Sequence, residues 1–358
     1  MHQLSRFVLA GVSVLLVTGL ANAKAKPKFA VIEDTANKLY QQGKFVDAFA
    51  AYQQSASLGS PRSQALLGYM YATGQGTAKN PALAMEWTSK AAEQDDAEAE
   101  NMLGYMYLNG TGTAPDAAHA VIWYGKAAQK GDPGAENSLG VLYLRGQGTA
   151  QDPEKAFAWF SRAAEHGYEA AQNNLGSMYF TGTGIAKDYS RAFVWLNKAA
   201  NQGNAKSQWM LGMMYANGLG VSRDYTQAFG WYLRSARQQY TAAEADLGVM
   251  YSLGLGTAQD HAEALSWFTK AALNGSAIAQ ANLGVMYLKG LGVSPDREKA
   301  REWLQKAAIQ QNTEARHLLS TIDSTTAQQA IESGTFAASA SADAGGTALG
   351  LKTIANIE

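Results

Sequence analysis

Histidines and methionines are the metal-binding residue types in this sequence, and serines, carboxylates and glycine loops those that could support catalysis. A zinc or copper site needs several imidazole, thiolate or thioether donors converging on one point. The chain has no cysteine, which excludes a thiolate site, a disulfide framework, a cysteine nucleophile and a lipidated N-terminal cysteine. His2 lies in the first few residues, while His119, His166, His261 and His317 are scattered and read as surface or interface residues. Met70, Met106, Met178, Met214, Met250 and Met286 recur at one register and read as a core stripe. Neither Ser-x-x-Lys, G-x-S-x-G, H-E-x-x-H nor a phosphate loop ending in Gly-Lys-Ser/Thr occurs. Glu98, Glu100 and Asp246 read as solvated helix face, without a paired geometry for acid–base work. The sequence therefore predicts no catalytic, cofactor-binding or metal-binding residue.

The 358 residues carry a formal net charge of -1, without the cationic excess that a phosphate backbone requires. No nucleic-acid partner is expected. At the start, His2 and Arg6 precede an apolar run from Phe7 to Leu20 and then Ala21-Asn22-Ala23. A basic start, a short apolar core and a small-x-small site predict a cleavable signal peptide over residues 1–23. The run is shorter than the roughly 20 residues that cross a bilayer as a helix. The mature chain is expected to begin at Lys24, with no integral membrane segment, in the periplasm or outside the cell.

A period of 36 residues organises most of the mature chain. Leu-Gly recurs at this interval from Leu67-Gly68 to Leu283-Gly284, with a Tyr three residues after each Gly, from Tyr71 to Tyr287. Seven of the eight tryptophans share a second register: Trp87, Trp123, Trp159, Trp195, Trp231, Trp267 and Trp303. Within a unit the apolar spacing is helical twice. Ala99, Leu103, Met106 and Tyr107 share one face of a helix A; Ala120, Trp123, Tyr124 and Ala127 share one face of a helix B.

Between the two helices every unit has G-x-G, which permits the positive φ of a turn. It follows a helix instead of a strand and lacks a third Gly, so it is not a dinucleotide loop. Asn80, Asp116, Asp152, Asp188, Asp224, Asp260 and Asp296 stand where they can cap helix B. Lys90, Lys126, Arg162, Lys198, Arg234, Lys270 and Lys306 stand near its negative end. A glycine inside helix A costs about 1 kcal/mol, so its recurrence needs a packing reason. The sequence suggests that the bulky Trp of helix B crosses there. On that reading Trp159→Ala costs roughly 3–5 kcal/mol.

The order A-x-x-x-L-G-x-M-Y, G-x-G, D, A-x-x-W, K-A-A-E-x-G resembles the Sel-one-like repeat (SLR) family of the tetratricopeptide-like superfamily. The resemblance implies an all-α fold, an α-solenoid that winds as a right-handed superhelix of helix-turn-helix repeats. Residues 60–311 hold seven such repeats, with Ser235 and Gln239 as departures from the pattern. Residues 24–59 resemble a tetratricopeptide hairpin, residues 312–322 a C-terminal capping helix, and 323–358 a low-complexity, disordered tail. Some cysteine-rich relatives are linked to penicillin binding, and this chain has neither their cysteines nor a Ser-x-x-Lys.

In the tetratricopeptide class, the ridge of helix A opposite its core lines the concave side. Along that ridge Tyr69, Asn101, Tyr105, Asn137, Asn173, Trp209 and Met213 vary from unit to unit, unlike the framework positions. Asn can satisfy an extended peptide backbone, and aromatic residues and Met can anchor apolar groups. The ridge therefore reads either as a groove for a protein or peptide or as packing against the next repeat. On the groove reading, Trp209→Ala leaves thermal stability nearly unchanged and weakens binding. The function expected is a non-catalytic exported scaffold in the cell envelope, in regulation or complex assembly. The alternative is an accessory protein or enzyme acting on, or binding, cell-wall or exopolysaccharide glycan.

Overall fold

The computed structural model describes residues 27–322, which form seventeen α-helices and no strand. The expected signal peptide and tail lie outside the described residues. The chain is an all-α solenoid whose contacts divide it after Ala171 into two units. The first holds α1 (Lys28–Gln41), α2 (Phe45–Ser57), α3 (Pro61–Thr73), α4 (Pro81–Ala92), α5 (Ala97–Asn109), α6 (Ala117–Gln129), α7 (Pro133–Arg145) and α8 (Pro153–Glu165). The helix α9 (Glu169–Thr181) carries the chain onward. The second unit contains α10 (Tyr189–Asn201), α11 (Ala205–Asn217), α12 (Tyr225–Ala236), α13 (Thr241–Leu253), α14 (His261–Leu273), α15 (Ala277–Lys289), α16 (Arg297–Ile309) and α17 (Thr313–Ile322). Within each unit, helices pack on their sequence neighbours, and helix A of one repeat also touches helix A of the next.

Local chemistry sets the boundaries of these helices. The side chains of Asn80, Asp116, Asp152, Asp188, Asp224, Asp260 and Asp296 each accept a backbone N–H in the first turn of helix B, as their register predicts. Each of these residues also donates its own backbone N–H to the carbonyl of the Tyr three residues after Leu-Gly, as in Asp116 to Tyr107 at 2.7 Å. This bond closes the hairpin. The second glycine of the turn has a further role: a Cβ on Gly148 would land on the carbonyl oxygen of Ala117, in helix B of the preceding repeat. Its φ of +73° would be strained for other residues as well.

The Leu-Gly glycine does accept the close approach of helix B, but the residue that fills the space is not Trp. A Cβ on Gly104 would sit 2.6 Å from the Tyr124 ring, and one on Gly140 2.8 Å from Phe160. Leu196, Tyr232, Phe268 and Leu304 take the same place in the second unit. Each lies one residue, about 100° of helix, beyond the Trp. The Trp is rotated aside, half-buried, and its ring lies under the cation three residues on, at 3.9 to 4.8 Å. Trp123 packs on a cluster that includes Ala91 and Ala92 of the repeat before it. The tryptophans thus join repeats, while the next residue joins the two helices of one repeat. Gly104→Ala is expected to lower stability by about 1–3 kcal/mol through overpacking against Tyr124. Urea denaturation checks this, and an unchanged midpoint would show that the ring yields freely.

Candidate functional site

Helix A in the array packs between helix B of its own repeat and helix B of the preceding one, and also touches helix A of the next. Its ridge is therefore less open than amphipathic reasoning suggests. In the first unit Tyr69, Asn101 and Asn137 are buried and Tyr105 is half-buried. In the second unit Asn173 and Met213 are buried and Trp209 is half-buried. Asn101, 1% exposed, donates through Nδ2 to Asp132 Oδ1 at 2.8 Å. Asn173 Oδ1 accepts from Ser207 Oγ at 3.0 Å, and Trp209 Nε1 donates to Asp246 Oδ2 at 2.7 Å. All three bonds run to the following repeat, so packing between repeats engages these polar groups. The open parts of the ridge are the faces of Tyr105 in one unit and Trp209 in the other.

Two readings of single residues change with this geometry. Glu100 and Asp246 are not solvated helix face: both are buried, and Glu98 is half-buried. Trp209→Ala no longer leaves stability untouched, because it strips the hydrogen bond from a buried carboxyl.

The buried acids belong partly to a ladder that sequence reasoning missed. Four residues before each Leu-Gly glycine stands a buried Gln or Glu, and 30 residues later a polar partner near the end of helix B reaches back to it. Gln94 donates to Gln64 at 2.7 Å and Lys130 to Glu100 at 2.8 Å. In the second unit Gln202 pairs with Gln172, Gln238 with Gln208, Asn274 with Glu244 and Gln310 with Gln280. Glu136, 0% exposed, has Arg162 Nη2 at 3.0 Å and His166 Nδ1 at 3.3 Å. Desolvation raises the Glu136 carboxyl, and Arg162 and the His166 contact oppose the rise. The 36-residue recurrence of Gln/Glu was the available signal.

Asp246 is outside this ladder. It lies on α13 at 7% exposure, and burial pushes its carboxyl up to about 7 against the opposing Trp209 hydrogen bond. The Trp209 and Tyr240 rings lie beside it with centroids 5.7 Å apart and planes tilted by 44°. Tyr232, fully buried on α12, has a hydroxyl without a hydrogen-bond partner among the described residues. Its ionisation is opposed first by burial and then by Asp246.

The histidines stay apart. His119 Nδ1 lies 2.6 Å from Asp116 and its ring stacks on Tyr107, whereas His166 lies against Glu136. No cluster of three or more His, Asp or Glu fit to hold a metal occurs among the described residues. The six recurrent methionines are buried in the core as expected. Among the described residues, no helix is long and apolar enough to cross a membrane.

The family profile described as the Sel1 repeat matches residues 61–96, 97–132, 133–168, 169–204, 205–240, 241–276 and 277–312. No protein of curated function matches the sequence. Among solved structures, a protective antigen, c5321, of uropathogenic Escherichia coli strains with an SLR fold is 40% identical, with a TM-score of 0.71. That alignment covers 76% of this chain and 58% of the antigen, so the chain spans somewhat more than half of that relative. A Sel1 repeat protein from Oxalobacter formigenes is 30% identical, with a TM-score of 0.62, over 87% of this chain and 98% of its own.

Proposed function

The chain belongs to the Sel1 repeat family, whose members are generally protein-interaction scaffolds, and on that basis we propose a non-catalytic exported scaffold that holds a protein or peptide partner in the cell envelope. One observation carries the reading. Framework positions repeat at every 36 residues, whereas the two ridge registers vary: that of Tyr105 runs from Tyr69 through Val141, Ser177 and Met213 to Val285, and that of Trp209 holds Ala or Asn in every other repeat. Packing fixes a framework residue, whereas a position that faces outward is free to differ between repeats, as a recognition surface requires. Aromatic rings at such points are suited to act as anchors. Export is supported by the basic start, apolar run and Ala21-Asn22-Ala23 site, and a protective antigen as relative suits an exported chain.

The test is capture of partners from an envelope extract by the mature chain, read by mass spectrometry, alongside a glycan array. Selective capture of a protein, weakened about tenfold or more by Tyr105→Ala, is the expected result. Glycan binding without protein capture would favour a cell-wall or exopolysaccharide role instead. Mass spectrometry of the protein from fractionated cells should find Lys24 as the first residue. An intact Met1 in a cytoplasmic pool would overturn export.

A further inference from the structure

We propose that Trp209, Tyr240 and Asp246 form a site on the second unit for one cationic side chain, a lysine ammonium or arginine guanidinium, of an extended partner segment. The proposal rests on the scaffold reading and gives its partner a chemistry. It begins from the place where an aromatic ring at the start of α13 meets an acid that no other repeat carries, the kind of departure from a repeat that function can explain. Gln239 holds a φ of 62° where the corresponding positions at 59, 131, 167, 203 and 275 are glycine, a departure it shares with Asp95 and Gln311. Tyr240 stands at the N-cap of α13 and makes no side-chain cap bond, whereas Ser60, Asp96, Asp132, Asn204 and Ser276 cap their helices from the same register and Tyr168 precedes α9 there. The cap has been exchanged for an aromatic ring beside Trp209.

Asp246 is the departure that no other repeat shares. Its register holds Leu66, Met102, Ser138, Asn174, Met210 and Asn282 in the other repeats, none of them charged. An acceptor for the Trp209 indole would not need a carboxylate, since an asparagine oxygen serves elsewhere, as Asn173 does for Ser207. A buried carboxylate is unfavourable without a cation near it. Among the described residues Asp246 has no ion pair, only the Trp209 bond to Oδ2, and its remaining oxygen has no hydrogen bond. The Tyr232 hydroxyl within its electrostatic reach is also unpartnered among them and wholly buried.

A carboxylate with a free oxygen beside two half-exposed rings matches an ammonium or guanidinium group, which gains a charge-assisted bond and the ring faces together. The described residues supply no such cation themselves. Lys206, one turn before Trp209 on α11, is exposed, makes no ion pair among them and does not lie over the Trp209 ring. Tyr232 and Tyr240 are raised by burial and stay neutral, so they do not compete for the cation.

The experiment uses the mature chain labelled with nitrogen-15, with the Trp209 indole N–H assigned through Trp209→Phe. Acetyl-Gly-Lys-Gly-amide and its norleucine counterpart are titrated separately at about pH 8, where the Asp246 carboxyl is ionised. The expected result is a saturable shift of the Trp209 indole with the lysine peptide alone. Asp246→Asn keeps an acceptor for the indole and should weaken that binding by at least about tenfold. Equal shifts with both peptides, or undiminished lysine binding to Asp246→Asn, would overturn the site. If the envelope partner is captured equally by wild type and Asp246→Asn, the scaffold reading stands and this site falls. Lysine binding at Trp209 with no protein captured supports the site and removes the scaffold reading instead.

Discussion

Phe160→Ala should lower the stability of the array by about 3–5 kcal/mol, the range for truncating a fully buried aromatic side chain. Phe160 is wholly buried, and its ring fills the space over Gly140, which a Cβ on that glycine would invade. Truncation therefore opens a cavity where α8 lies closest to α7, and a glycine has no side chain to close it. Trp159→Ala, one residue away, removes a larger side chain but should cost only about 1–2 kcal/mol. Trp159 is half-buried and loses mainly its packing on the preceding repeat and its contact with Arg162 at 4.8 Å. Because each repeat packs on its neighbours, both losses should also appear in adjoining repeats. Urea denaturation of the two variants side by side decides the matter. The reverse ranking would assign the helix A to helix B contact to Trp after all.

Asp246→Asn should make the protein more stable near neutral pH, by up to about 4 kcal/mol. The carboxyl is pushed from the ordinary 3.8 up to about 7 by burial. Below the lower value both folded and unfolded chains hold the proton, and the residue contributes its full stability. As pH rises, the unfolded chain releases its proton first while the folded chain still holds one, so wild-type stability falls until pH passes about 7. Asn carries no such proton and keeps its oxygen available to Trp209. The two proteins should therefore unfold alike near pH 4, with the variant pulling ahead through neutrality. Denaturation curves at several pH values test this difference, in which contributions from other carboxyls such as Glu98 cancel. A wild type that gains on the variant as pH rises would mean that the ionised carboxylate is already well partnered inside the fold. The proposed cation site implies that this loss of stability is the condition of binding: the charge that burial disfavours is the charge a partner would meet.

The ridge shows where sequence reasoning reached its limit. Asn101, Asn173 and Trp209 vary between repeats, and from the sequence that variation fits either a groove or packing between repeats. Their hydrogen bonds run to the following repeat, which places their polar atoms in the packing. Glu100 and Asp246 were legible as acids but not as buried acids. An isolated amphipathic helix turns its polar residues to water, whereas helix A here is covered on two sides. Likewise, the interval of 30 between Gln64 and Gln94, or Glu100 and Lys130, is plain once the bonds are seen. Nothing in helical periodicity asks for it.

What the sequence determined alone was everything set by contacts within a few residues or by exact recurrence. The period of 36, the two helices of each repeat, the caps at Asp116 and its equivalents, and the glycine turns all follow from local hydrogen bonding and apolar spacing. The tertiary structure decided which side of an already apolar helix faces which neighbour. Trp159 and Phe160 are adjacent, and both read as core; only the position of Gly140 shows that Phe160 enters helix A while Trp159 turns to the preceding repeat. Trp209, Tyr240 and Asp246 lie on different helices or turns, 31 and 6 residues apart in sequence, and come together only when one repeat stacks on the next. Local periodicity fixes a helix and its apolar face, but a direction on that face gains meaning only from the side chain across from it, and stacking supplies that neighbour.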